Sequence, residues 1–325
     1  MYSQPETILE QYELTVNGIT KGRGIYICDT SLGMKALTAF RGSAERAGLL
    51  DKVLTYLQEQ KLVVEQLCRT KEGEILAKDD AEGKYLLKDL FLGNECNPKS
   101  AEDMVCAVQA LAKLHRCLRF CPAAIPDFTD SDKNSLRLLY EKHYHELIKV
   151  KNFVKSRKKK NEFEMKFQKN YPHFMGQAER SLAMLTACEE GWQRRCLCHG
   201  DFNQHNVICT QGRWQIINFE NINANLPMAD FCNFLRKMME KNNWDFVLGQ
   251  RLLDAYDRID PLGLNEYRQL YVLLLFPEKF WKLSNHYFNS HKAWLSERDI
   301  EKLDRMMEQE QARELFLENL FSIIR

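Results

Sequence analysis

The chain has 325 residues, enough for two or three modest lobes and too few for a large multidomain machine. Hydrophobic residues make up 45% and charged residues 28%, which buries enough apolar surface to offset chain entropy and excludes disorder as the main state. Lys and Arg number 46 against 45 Asp and Glu, a net charge of +1 with neutral His, so no global field gathers nucleic acid or anionic membrane and any anion site must be local.

The first forty residues read as strands and turns. Tyr12 to Val16 alternates as a short strand, Gly18 to Gly24 (GITKGRG) reads as a glycine-rich turn, and Ile25 to Cys28 and Met34 to Phe40 flank the turn Asp29 to Gly33 as a hairpin. Ser43 has the chemistry of an N-cap, and Leu49, Leu50, Val53, Leu54 and Leu57 recur at helical spacing until Gln58 to Lys61 closes the segment. Val63 to Cys68, a turn at Lys71 to Gly73, and the strand-like Glu74 to Ala77 and Lys84 to Phe91 follow, so the small lobe reads strand, strand, strand, helix, strand, strand. After Gly93 helices take over: Ala101 to Arg119 carries Met104, Val105, Val108, Leu111, Ala112 and His115 on one face, where His115 is a packed side chain. A boundary near residues 92–95 divides the chain into an N-terminal lobe, 1–92, and a C-terminal lobe, 93–325.

Residues 131–190 read as a helical insertion with a basic run, Lys149 to Lys160 (KVKNFVKSRKKK), which is either a solvated helix face or loop, as charge runs usually are, or a binding patch. Short strands and loops return from Trp192 to Glu220, and Met228 to Arg325 is helical. Apolar runs such as Leu270 to Phe276 fall far short of the roughly 20 residues of a spanning helix. Eleven cysteines without a disulfide-like rhythm, behind an N-terminus without the form of a secretory signal, fit a reducing cytosol.

The chemical signal lies in Cys198-His199-Gly200-Asp201-Phe202-Asn203-Gln204-His205-Asn206, followed by Asn218-Phe219-Glu220. Phosphoryl transfer needs a carboxylate to orient the attacking hydroxyl and accept its proton, and ligands for metal on the phosphates. An Asp followed five residues later by an Asn supplies both on one loop, as in the kinase pattern H-R-D-x-x-x-x-N. The turn Gly18 to Gly24 offers backbone N–H groups beside Lys21 and Arg23, as a phosphate-covering loop does, or is a plain hairpin turn. Cys196-x-Cys198-His199 has zinc-ligand residue types, but it lacks C-x₂-C spacing and a second pair; a buried strand entering the loop explains it better. No H-E-x-x-H, G-x-S-x-G, Walker A or Rossmann fingerprint occurs, which removes the support for hydrolase and dehydrogenase readings.

HGDFNQHNVI resembles the H-G-D-x-x-x-x-N loop of aminoglycoside phosphotransferases and choline kinases, which share a protein-kinase-like fold. Within that group MKALTAFRGSAERA, ALAKLHR at Ala110 to Arg116, INFEN and ADFCNFLRKMMEKNNWD are similar to CotS-type spore-coat proteins of endospore-forming bacteria. The resemblance implies an α+β, bilobal fold with a small antiparallel-sheet N-lobe that binds nucleotide and a larger, mainly helical C-lobe. It also implies Asp201 as catalytic base, Asn206 as metal ligand, His199 as the loop's structural His and Asp230 as the carboxylate bracing that loop. Leu86 to Leu92, with Asp89 and Leu90, become the hinge beside adenine. ATP and Mg²⁺ are the implied cofactors, with Mg²⁺ binding weakened. The implied partners are nucleotide, an unidentified small-molecule acceptor and other spore-coat proteins, with no nucleic acid or membrane, and the implied location is the cytoplasm or the spore coat.

Two positions depart from the family pattern. Asn218 stands where a metal-binding Asp opens D-F-G or D-F-E; an amide oxygen brings no charge, and Glu220, two residues along an extended segment, points to the same side and can supply it. Thr38 stands where the strand lysine of kinases meets the phosphates, while Lys35 lies three residues earlier on the opposite face. Either the alignment slips and Lys35 steadies the phosphates, or that lysine is absent; Glu45 is the nearest candidate for its helix partner. Two functions follow. One is an ATP-dependent phosphotransferase that moves the γ-phosphoryl group to a small-molecule hydroxyl. The other is a catalytically weakened pseudokinase acting as a coat structural or assembly protein.

Overall fold

A computed structural model gives the fold and describes residues 5–22, 24–122, 136–188, 196–290 and 297–324. The chain forms two compact units, Met1–Pro126 with Leu197–Asn223, and Asp127–Cys196 with Ala224–Arg325.

In the first unit a short helix, α1 (Pro5–Leu9), precedes three strands, β1 (Val16–Lys21), β2 (Ile25–Thr30) and β3 (Gly33–Ala39). Helix α2 (Ala44–Glu59) follows, then β4 (Ala77–Lys78) and β5 (Lys84–Asp89). The strands make one sheet in the order β1-β2-β3-β5-β4, every pair antiparallel. The hairpin and α2 lie where the sequence puts them, and the Ser43 side chain accepts from the Arg46 N–H as an N-cap should. β1 differs: it runs through Gly18 to Lys21, read from the sequence as a turn, and begins only at Val16. Pairing with the apolar β2 overrides the local glycine content, and Gly18 sits beside a register shift that absorbs the irregularity.

Register decides which residues share a face. Lys35 lies opposite Asp89, Ala36 opposite Lys88, Leu37 opposite Leu87 and Thr38 opposite Leu86. Leu37 and Leu87 pack with Cys28, Ala77 and the α1 residues Ile8 and Leu9, so by alternation Lys35 and Asp89 lean to that same side. Ala36, Thr38, Leu86 and Lys88 occupy the other face. The unit continues with β6 (Asn94–Glu95) and α3 (Ala101–Leu118), whose N-cap Ser100 accepts from the Asp103 N–H. The chain returns through β7 (Cys196–Cys198) to β8 (Val207–Thr210) and β9 (Arg213–Ile216), and β6, β8 and β9 form a small antiparallel sheet beneath which the loop Asp201 to Asn206 turns.

The second unit is helical: α4 (Leu136–Ser156) and α5 (Glu162–Cys188), then, after a short strand β10 (Asn223–Asn225), α6 (Pro227–Lys241), α7 (Phe246–Asp257), α8 (Leu264–Leu275), α9 (Glu278–Asn289), α10 (Glu297–Glu308) and α11 (Glu310–Ile323). Leu147, Val150 and Val154 on α4 bury against Phe163 and Phe167 on α5 and Phe280 on α9. The basic run therefore spans the end of a core helix and the corner after it. Asn161 and Glu164 cap α5 reciprocally, each N–H on the other's side-chain oxygen at 2.9 Å, and the Arg157 guanidinium pairs with the buried Glu164. Lys158 and Lys159 are exposed, so the corner is solvated. Among the described residues no helix is long and apolar enough to cross a membrane, and the cysteines are free thiols.

Candidate active site

The loop is built from the inside out. His199 is fully buried; its Nδ1 accepts from the Asp201 N–H at 3.2 Å and its Nε2 lies 2.9 Å from the Ile217 carbonyl. The backbone N–H can only donate, so Nδ1 is the acceptor and Nε2 carries the proton. Both ring nitrogens serve the loop, which leaves His199 none for zinc and makes it a brace rather than a chemical participant. Gly200 has φ +81°, and a Cβ there would come within 2.0 Å of the Asn221 carbonyl oxygen, so only glycine fits between His199 and Asp201. A 3₁₀ turn, Gln204–Asn206, closes the loop, with the Asn203 side chain accepting from the His205 N–H.

Asp201 is half-buried and its carboxylate is held from the side by amides. Asn203 Nδ2 donates to Oδ1 at 3.1 Å; Asn206 Nδ2 donates to the Asp201 carbonyl at 2.8 Å and reaches Oδ2 at 3.5 Å. Asn206 in turn accepts on its Oδ1 from Asn218 Nδ2 at 2.8 Å, and Asn218 accepts on its Oδ1 from Lys88 Nζ at 2.8 Å. The direction of this chain is forced by its ends. A lysine ammonium can only donate and a carboxylate can only accept, so each amide between them must turn its oxygen toward Lys88 and its NH₂ toward Asp201.

Lys88 is the centre of a second convergence. It is 3% exposed, lies 3.2 Å from the Glu65 carboxylate, and donates to Glu220 Oε1 as well as to Asn218. Glu65, 1% exposed, also accepts the N–H groups of Asn218 at 2.8 Å and Phe219 at 3.2 Å. Asn218 has φ 65° and ψ 56°, a left-handed conformation that Asn tolerates, and this aims two successive N–H groups at one anion. Burial pushes the Glu65 carboxyl upward, opposed by Lys88 and those N–H groups. Burial alone would lower the Lys88 ammonium, but Glu65 and Glu220 outweigh it, and it stays protonated.

The residues singled out from the sequence divide accordingly. Asp201, Asn206, Asn218, Glu220 and His199 come together. Lys35 does not join them: its Nζ bonds Asp89 Oδ1 at 2.6 Å on the α1 side of the sheet, and Asp89 Oδ2 accepts the Gln66 N–H. Burial would lower the Lys35 ammonium and the Asp89 bond raises it further, for a net rise. Leu90 pairs its N–H with the Met34 carbonyl at the end of the strand. Thr38 is half-buried on the other face, its buried hydroxyl without a hydrogen-bond partner. Glu45 is exposed in the first turn of α2, as a helix N-terminal charge, and Lys21 is exposed at the end of β1. Arg23 lies outside the described residues. Asp230 is buried in the first turn of α6, in the second unit.

Lys88 and Glu65 were not visible as site residues from local motifs. The available signal was a charge at an inward position in each of two otherwise apolar extended stretches, Val63-Val-Glu-Gln-Leu67 and Tyr85-Leu-Leu-Lys88. An isolated antiparallel bridge, Leu67 to Lys88, brings those stretches side by side.

A five-stranded antiparallel sheet in a chain that carries an H-G-D-x-x-x-x-N loop belongs to the protein-kinase-like fold, the fold of phosphotransferases. An aminoglycoside phosphotransferase from Alicyclobacillus acidocaldarius matches at a TM-score of 0.85 and 19% identity, covering 100% of this chain and 97% of its own. The AMP-bound complex of a spectinomycin phosphotransferase matches at a TM-score of 0.64 and 13% identity, covering 94% of this chain and 96% of its own. The chain belongs to the family described as spore coat putative kinase YutH, which it matches over residues 5–320. Spore coat protein S of Bacillus subtilis (strain 168) is 27% identical over 312 residues, 92% of this chain and 87% of that protein. The resemblance read from the loop and from the flanking segments is thereby borne out.

Proposed function

We propose that the chain is a spore-coat structural or assembly protein built on a phosphotransferase fold, with a transfer site whose turnover is weakened. Coat association rests on the family and on the likeness to spore coat protein S. The observation that carries the weakened turnover is the fate of the strand lysine: Lys35 is committed to Asp89 on one face, and Thr38 stands on the face where the phosphate cation belongs. A triphosphate at this loop lacks that partner, since the ammonium on that face, Lys88, is buried and held by Glu65, Asn218 and Glu220; one missing charge-stabilising group costs about 10²–10³ in rate.

Nucleotide is the ligand the fold suggests, since the spectinomycin phosphotransferase of the same fold holds AMP. Residues 1–92 would serve as its lobe. The second reading, active transfer of the γ-phosphoryl group to a small-molecule hydroxyl, is favoured by one observation: the Asp201 carboxylate is half-buried and held by Asn203 and Asn206 as a hydroxyl-orienting base would be.

ATP turnover against a panel of amino-sugar and amino-alcohol acceptors, measured beside an active aminoglycoside phosphotransferase, separates the two. The expected rate is at least about a hundredfold lower. Comparable rates that vanish in Asp201→Asn would replace the proposal with the second reading.

A further inference from the structure

The oxygens that a divalent cation would need at this loop are already in use. Asn206 Oδ1 accepts from the Asn218 amide, Asn218 Oδ1 and Glu220 Oε1 both accept from Lys88, and the Lys88 ammonium also meets Glu65. An Asp at 218 has no N–H to give Asn206; the Asn does, and this turns the Asn206 oxygen away from any cation. The expected Mg²⁺ ligands therefore do not fit Mg²⁺ in this chain.

What stands in their midst is a cation made of protein. We propose that the Lys88 ammonium replaces the divalent metal, held by Glu65, Asn218 and Glu220, so that the native centre takes no divalent cation and removal of Lys88 turns it into a divalent-cation site. The side chain arrives from β5, on the sheet face it shares with Thr38, and acceptor oxygens from residues 65, 218 and 220 converge on its Nζ. Two carboxylates and an amide oxygen around one point form a hard-oxygen set, suited to Mn²⁺ or Ca²⁺ once the ammonium is gone. With Lys88 present a metal must displace a buried ion that is hydrogen-bonded to all three.

The test is Mn²⁺ titration by electron paramagnetic resonance on the nucleotide-free full chain, for the native protein and for Lys88→Met. The native protein is expected to bind no Mn²⁺ at this centre. Lys88→Met is expected to bind one equivalent about a hundredfold more tightly, because the freed carboxylates become full ligands. Glu220→Gln added to Lys88→Met should abolish that binding. Should Lys88→Met fail to fold, Lys88→Gln keeps a hydrogen-bonding side chain at the centre with both carboxylates in place and is expected to show the same gain in weaker form. Stoichiometric Mn²⁺ on the native chain that is lost in Asn218→Ala, or folded variants that bind none, would overturn the proposal. No nucleotide or acceptor enters this measurement, so its outcome is separate from that of the turnover assay, on whose reading of the site it rests.

Discussion

Each unit buries a charged centre, and the two are assembled differently. In the second unit the Arg313 guanidinium donates to the carbonyls of Leu274 and Leu275 at 2.7 and 3.0 Å, at the C-terminal end of α8, and to Gln177 and Glu310 at 2.9 Å each. Its donors fan out to close helix ends, one charge against one charge. In the first unit the acceptors converge on a compact ammonium, two carboxyl groups face one cation, and the members come from three separate stretches of chain. Fanned donors stitch helices together. Converged acceptors outline a place for an ion, and that is why Lys88 rather than Arg313 bears on function.

Breaking the helix stitch should have the largest effect. Arg313→Met leaves Glu310 without the guanidinium and two helix-end carbonyls without their donor, and is expected to cost about 3–5 kcal/mol in urea unfolding, with no recovery on adding Mn²⁺. Recovery would erase the contrast between the two centres. Glu65→Gln should cost less, about 1–3 kcal/mol, because an amide oxygen in the place of Oε1 can still accept from the N–H groups of Asn218 and Phe219 and from the Lys88 ammonium. No change in unfolding midpoint would mean that Glu220 alone holds Lys88.

Glu240 sharpens the comparison through pH. Burial raises its carboxyl, but Arg236 and Lys279 outweigh burial and hold it below its ordinary value of 4.5. A depressed carboxyl contributes stability above its unfolded pKa and loses it as pH falls through the folded value. Glu240→Gln should therefore be destabilised at neutral pH, by about 1–3 kcal/mol. The gap to the native chain should close as pH falls below about 4.5. A gap independent of pH would show that the pair contributes by packing alone.

The sequence made the loop legible because its parts are contiguous: His199, Gly200, Asp201 and Asn206 read in one line, and the αL glycine and 3₁₀ turn are local consequences. The hairpin and the Ser43 cap are local for the same reason. β1 was misread because strand pairing with β2 outweighed its glycines. Lys88 and Glu65 escaped because their roles depend on the register between β3 and β5 and on a bridge between separate segments, which no local pattern encodes. The alternation argument that set Lys35 apart from Thr38 did hold, whereas placing Lys88 on the Thr38 face needs the pairing of Ala36 with Lys88 across the two strands.

The one-way run of hydrogen bonds from Lys88 through Asn218 and Asn206 to Asp201 makes position 218 a polarity switch for the loop. A carboxylate there would draw the Asn206 NH₂ toward itself and swing its oxygen to Asp201, setting acceptor against acceptor. Asp201 would then keep only Asn203 as its lateral hold, so a change of one atom at residue 218 would reach a side chain it never touches.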